Sequence, residues 1–237
     1  MADQAAGLRR LISRDFVRVI ALTSAQPGSG VSLIARHLAS ALSSLGREVF
    51  PIECKEELLA RARGDPGLLA DALEKGRRGA EIALLEVPST PNDRQARLAA
   101  CAPDVILVMA PGPSALQDAY LLIKRILSVS GKCRLHVLLN QSADMDYAKR
   151  IFGNLSATSN KFLSQPLQYL GELPNDDRMS QGQSQDINLL ANHPHAPLAV
   201  MLRALAERIL LWPYPGENDM SGFARRLVAA LPAPPVY

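Results

Sequence analysis

Apolar residues recur along this chain in two alternating periods. Val17, Val19, Ile20, Ala21 and Leu22 form a β-branched, apolar run, and Val31, Ile34, Ala35, Leu38, Ala41, Leu42 and Leu45 follow it at helical spacing. The pattern predicts a buried strand, a tight loop and an amphipathic helix. The alternation continues with a short strand over 48–52, a helix opened by Asp65 as cap and Pro66 at its first position, and a buried strand over 82–87. A fourth strand over 104–110 ends in Pro111-Gly112-Pro113, where Ser114 is placed to cap a helix carrying Ala119, Leu122, Ile123, Ile126 and Leu127. Next come a strand over 135–140, a helix over about 146–162, a strand over 167–173, and an Ala- and Leu-rich helix over 197–211. Strands that alternate with helices imply right-handed crossovers. The expected fold class is therefore α/β, a mostly parallel twisted sheet with helices on both faces and further helices at the termini. A ligand is expected at the carboxyl ends of the strands.

Composition narrows the organisation. With 48% hydrophobic residues among 237, one substantial core is available, so residues 1–16 and 213–237 read as terminal segments flanking one domain over 17–212. A net charge of +3 without a concentrated basic face argues against nucleic acid as a partner. Cys54, Cys101 and Cys133 are scattered and read as reduced core thiols. No run reaches the roughly 18 apolar residues of a membrane span and no signal-like stretch opens the chain, so a cytoplasmic location is expected. His37, His136, His193 and His195 form no metal-binding pair on a helix face, and no metal site is expected from them.

Candidate chemistry concentrates in residues 23–32, Thr23-Ser24-Ala25-Gln26-Pro27-Gly28-Ser29-Gly30-Val31-Ser32. Between a strand and a helix, this is the layout of a phosphate-binding loop, in which glycines let backbone N–H groups crowd the phosphates, a lysine neutralises them and Ser/Thr meets magnesium. Gly28, Gly30 and Ser32 retain the glycine and hydroxyl parts. Val31 takes the usual lysine position, so the electrostatic part is missing. Backbone amides and a helix N-terminus alone hold an anion weakly, each such contact being worth roughly 0.3–1 kcal/mol.

Three stretches resemble the MinD/ParA-like P-loop family, and within it the flagellar number regulators called FlhG or FleN. They are Pro111-Gly112-Pro113-Ser114-Ala115-Leu116-Gln117-Asp118-Ala119-Tyr120, the segment from Phe162-Leu163 through Leu167 to Asp176, and Asp3-Gln4-Ala5-Ala6-Gly7-Leu8-Arg9. The last is similar to the DQAxxLR motif, which in that family stimulates the GTPase activity of a signal-recognition-type partner, FlhF. The resemblance implies a MinD-like P-loop NTPase fold. It also implies that residues 1–16 form a partner-activating helix, in which Gln4 and Arg9 reach the partner's nucleotide site, Asp3 caps, Ala5 belongs to the motif and Leu8 anchors. A docked N-terminal helix is the alternative for these residues.

The resemblance further implies ATP or ADP with Mg2+ as ligand, at Gln26, Gly28, Ser29, Gly30, Val31, Ser32, Glu53, Glu86 and Asn140. The chain departs from the family at several of these. Both family lysines are absent, replaced by Gln26 and Val31, and the family's acidic pair after the second strand aligns with Glu53 and Lys55. Glu86 replaces an aspartate. Nucleotide is expected to bind weakly if at all, with no catalytic residue. Glu53 and Glu86 read equally as solvated strand ends, and Asn140 as a turn residue. Only about 30 residues separate the second and third strands, close to a single crossover, which argues against an ATP-gated dimer.

After Trp212-Pro213, Met220, Phe223, Leu227 and Leu231 share one face of a short helix with Ser221 as cap and Arg225 and Arg226 beside it. This resembles the family's C-terminal membrane-targeting helix, which would place the protein peripherally at the inner membrane and cell pole on an anionic surface. Docking on its own domain is the equal alternative. The expected function is regulation of flagellar number or placement by a pseudo-ATPase that activates an FlhF-like GTPase. The alternatives are an ATP-dependent switch ATPase and an antiactivator binding a flagellar transcription regulator, and a flagellar basal-body component is a further expected partner.

Overall fold

A computed structural model describes residues 17–54, 65–175, 189–213 and 220–231. The motif at residues 3–9, Lys55 and Asp176 lie outside the described residues. In chain order the elements are β1 (Arg18–Thr23), α1 (Val31–Ser44), β2 (Val49–Glu53), α2 (Pro66–Arg77), β3 (Ile82–Glu86), α3 (Asp93–Ala99) and β4 (Asp104–Met109). Then follow α4 (Pro113–Val129), β5 (Arg134–Ser142), α5 (Met145–Leu163), β6 (Gln168–Pro174), α6 (Leu189–Asn192), α7 (Pro197–Leu210) and α8 (Met220–Ala229). The six strands form one sheet in the order β2-β3-β1-β4-β5-β6, and every pairing is parallel. The sheet is thus wholly, not mostly, parallel.

Burial on both faces explains the continuous apolar runs of the central strands. In β1, Val19 and Ala21 face one core while Ile20 and Leu22 face the other. Residues of α2, α3, α4, α5 and α8 cover the first face, and residues of α1, α6 and α7 the second. Asp65 caps α2 by accepting from the N–H of Gly67 at 2.7 Å, as the sequence suggests. Two local expectations fail. Ser114 does not cap α4, because Pro113 already begins the helix and Gly112 stands at the cap without a side-chain bond. The seven-residue α3 is absent from the sequence reading, since so short a helix shows too few turns for its period to stand out; its start is fixed by Asn92, whose side chain accepts from Gln95 N at 2.9 Å.

The amino ends of β1, β4 and β5 carry a buried polar cluster. Asp104 is fully buried and accepts from Arg134 Nε at 2.8 Å and Nη2 at 2.7 Å, a bidentate pairing that suits a guanidinium. His136 Nε2 lies 3.1 Å from the same carboxylate, and its ring stacks on Trp212 with centroids 3.5 Å apart. Arg18 donates to Trp212 O at 2.8 Å and Arg134 to Pro213 O at 2.9 Å, so the cluster holds the end of α7. Burial pushes the Asp104 carboxyl up, but the hydrogen bonds from His136 and Arg134 outweigh it and hold the group below its ordinary range. Burial also lowers His136, although Asp104 opposes the shift.

In α8, Met220, Phe223, Ala224 and Leu227 are all buried within the core that contains Leu69 and Leu73 of α2. Arg97 Nε donates to Ala230 O at 3.0 Å and Arg226 Nε to Cys101 O at 2.9 Å, satisfying carbonyls at two chain turns. Ser221 lies inside this helix and not ahead of it. The docked alternative is the arrangement of this structure, and the apolar face that the membrane reading needs is turned inward.

Candidate functional site

The loop after β1 sits at the carboxyl ends of the strands, where α1 begins. Gly28 and Gly30 take left-handed φ angles of 77° and 87°, a region other residues enter at a cost. Val31, at the lysine position, is 7% exposed and packs in the core beneath α1. Ser29 is buried and its hydroxyl donates to Gln26 O at 3.1 Å. At the head of α1, the Ser32 hydroxyl donates to a Glu86 carboxylate oxygen.

Side-chain amides surround the loop. Gln26 Nε2 donates to Asp118 Oδ2 at 3.0 Å and lies 3.5 Å from Ser114 Oγ, tying the loop to α4. Asn140 Nδ2 donates to Ser29 O at 2.8 Å, and Gln141 Nε2 to Gly28 O at 3.0 Å. Gln95, on α3, donates to Thr23 Oγ1 at 2.8 Å and to Ser24 O at 2.6 Å. The sequence points to Gln26 and Asn140 but not to Gln95 or Gln141. Their partners lie 71 and 113 residues away, and local periodicity carries no such signal; the adjacency of Gln141 to Asn140 was the available hint.

Beside the loop, Ser32, Arg36, Glu53 and Glu86 rim a cavity of about 360 Å³ floored by Ile52 and Leu84. Glu53 and Glu86 are register partners on adjacent strands, so the sequence-selected carboxylates do converge. A wider depression of about 930 Å³ lies at the amino ends of β2 and β3, lined by none of the residues singled out by motif. Burial pushes the Cys54 thiol, next after β2, up to about 12, which keeps it protonated and unreactive. Among the described residues no group of three or more His, Cys, Asp or Glu side chains is placed to hold a metal. No helix among them is long and apolar enough to cross a membrane.

A magnesium nucleotide brings several negative charges that need cations and an open hydroxyl ligand. The donors here do not fit that group. Residues 23–32 contain no basic side chain, the Gln26 amide serves Asp118, and the Asn140 amide donates to Ser29 O.

No family model matches the chain. It is 28% identical over 129 residues to the antiactivator FleN of Pseudomonas aeruginosa, a match covering 54% of this chain and 46% of that protein; the chain thus spans about half the length of this relative. Among solved structures, it is similar to the cell division protein MinD of Aquifex aeolicus, with TM-score 0.63 and 16% identity over 85% of this chain and 100% of that one. It is similar also to a ParA family ATPase from Chlorobium tepidum, with TM-score 0.61 and 16% identity over 80% of this chain and 98% of that one. At such identities the structures speak for the fold alone. The parallel six-stranded sheet is thus a MinD/ParA-like fold, in a chain that is similar in sequence to FleN over about half its length.

Proposed function

We propose that the chain is a flagellar regulator of the FlhG/FleN kind that acts without ATP turnover, as a pseudo-ATPase whose output lies in its surfaces and N-terminal segment. The observation that carries this reading is Val31, an apolar side chain packed in the core at the position of the phosphate-neutralising lysine, in a chain with sequence likeness to an antiactivator. Calorimetric titration with ATP and magnesium tests it. Silence at millimolar nucleotide is expected, and micromolar binding overturns it in favour of an ATP-switched ATPase.

Residues Asp3, Gln4, Ala5, Leu8 and Arg9 carry the output, by stimulating an FlhF-like GTPase. A glutamine and an arginine brought to a GTPase site supply the groups that orient water and offset transition-state charge. Gln4→Ala is expected to lower stimulated GTP turnover at least tenfold without unfolding the protein. Equal stimulation by the variant removes Gln4 from the mechanism.

The name of the relative, an antiactivator, favours a second reading, in which a helical face binds a flagellar transcription regulator. Co-purification of the two proteins without nucleotide supports it. Membrane contact through α8 requires the helix to leave its groove. Flotation of the full chain with anionic vesicles, lost in Arg225→Glu, supports that contact, and flotation indifferent to the charge of Arg225 counts against it.

A further inference from the structure

The glycine-rich loop retains the shape of a ligand cradle in a chain whose donors do not fit the ligand. We infer that side-chain amides from α3, from β5 and from the loop itself replace the nucleotide as the agent that fixes this loop, which makes it a permanent latch across the carboxyl edge of the sheet. The inference concerns the loop itself and holds whichever partner the chain meets.

Each anchor comes from a different direction. Gln95 of α3 binds the loop's entry at Thr23 and Ser24. Gln26 reaches outward from the loop to Asp118 of α4. Asn140 and Gln141, consecutive on β5, grip the carbonyls of Ser29 and Gly28. A loop bound at its entry, middle and exit has few conformations left, so little ordering remains for a ligand to impose.

Two further features point the same way. A Cβ at Gly30 would stand 2.7 Å from Asn140 Nδ2, closer than side chains approach. The glycine is therefore required by the latch itself, independently of any phosphate. Gln141 sits at φ 59°, in the left-handed region that a glutamine rarely occupies. That backbone coincides with the register shift between β5 and β6 at Leu139/Ser142, and in it consecutive residues of β5 both reach the loop. Strain of this sort persists where surrounding contacts over-determine it.

Hydrogen exchange of the full chain, free of nucleotide, tests the latch. Peptides covering residues 24–32 are expected to be protected as they stand, and 5 mM ATP with magnesium is expected to leave their rates unchanged. Gln141→Gly removes one anchor while suiting the positive φ, so the fold is retained; exchange in 24–32 is expected to rise roughly tenfold, the scale of one lost net hydrogen bond, with β1 and β4 peptides unchanged. Asn140→Ala is expected to add to this. An unprotected wild-type loop, a loop slowed by nucleotide, or a loop indifferent to Gln141→Gly each overturns the inference. Should Asn140→Ala loosen every peptide, Gln141→Gly alone decides. No partner GTPase is present in this measurement, so its outcome is separate from that of the turnover assay.

Discussion

The two edges of the sheet use opposite chemistry. At the amino edge, a fully buried carboxylate, Asp104, is held by Arg134 and His136, with Arg18 beside them on the carbonyls of α7. At the carboxyl edge, where relatives of this fold bind charged ligands, neutral amides hold the backbone. Charge buried away from water is tolerable where it is fully paired, and the amino edge meets that condition for Asp104. An amide needs only complementary donors and acceptors and no counter-charge. The contrast indicates that electrostatics in this chain secure the tertiary fold, with the junction from α7 toward α8 as their main beneficiary. At the carboxyl edge the loop backbone is gripped by neutral amides, and the Asp118 and Glu86 carboxylates there accept from Gln26 and Ser32 and carry no buried ion pair among the described residues.

The largest break in this comparison is Asp104→Ala. It leaves the guanidinium of Arg134 and the His136 ring without their shared acceptor, and removal of one partner of a buried pair costs about 3–5 kcal/mol. Arg134 is partly exposed, which places the expected loss toward the lower figure, measured as a shift in the urea midpoint. Loss of the Trp212 stacking environment provides a second readout, a change in tryptophan fluorescence, since Trp212 is the sole tryptophan.

At the opposite edge, Asn140→Ala deletes a buried amide and leaves Ser29 O without that donor. The expected cost is about 1–3 kcal/mol, with the loss concentrated in the loop. Asn140 Oδ1 has no hydrogen-bond partner although buried, so part of the desolvation cost is already carried by the native protein and the variant sheds it. A value near 1 kcal/mol is therefore expected by urea denaturation. A loss equal to that of Asp104→Ala would erase the distinction between the edges.

Acid titration separates the edges without mutation. His136 is held below its ordinary value of 6.5, chiefly by burial, and His37 likewise by burial with help from Arg36. A depressed histidine means that the unfolded chain binds more protons as pH falls. Stability is then complete above about pH 6.5 and declines as pH drops from there toward the folded values. Asp104, held below its ordinary 3.8, contributes stability above that pH which is lost as pH falls through its folded value. Comparison of midpoints at pH 7.5 and 5.5 is expected to show the histidine step, and His136→Asn is expected to flatten it, leaving the share of His37. Arg134 and Arg18 both disfavour a charged His136.

The sequence exposed the sheet better than it exposed the site. The central strands were legible because burial on both faces writes an unbroken apolar run, as in Val105 to Met109 of β4, whereas the half-exposed outer strands β2 and β6 carry shorter apolar signals. The helix α3 was not, because seven residues give barely two turns. The cap expected at Ser114 lies two residues beyond the actual cap, Gly112, because Pro113 takes the first helical position. At the site, Gln26, Gly28, Gly30 and Ser32 were legible as departures from, or fidelity to, a known loop. Gln95, Gln141 and the Asp104 cluster were not, since their meaning arises from contacts between elements far apart in sequence. The helix α8 shows a different limit. An amphipathic face is written identically whether it meets lipid or the protein's own core, and only the groove beside α2 distinguishes the two.

A cation added to the loop at the carboxyl edge sharpens the comparison with the smallest expected effect. Gln26→Lys places an ammonium where the family's loop carries one, opposite Asp118, which now accepts from the amide. The new pair is partly exposed, and such pairs contribute about 0.2–1 kcal/mol, so the urea midpoint is expected to move little. ATP is expected to remain unbound in calorimetry, because the lysine would be engaged by Asp118 while Val31 still fills the second lysine position in the core. Binding restored by this single change would mean that the loop is limited by one missing charge and not by the way its amides and core residue are arranged, and the carboxyl edge would then resemble the ligand sites of its relatives more than a structural seam.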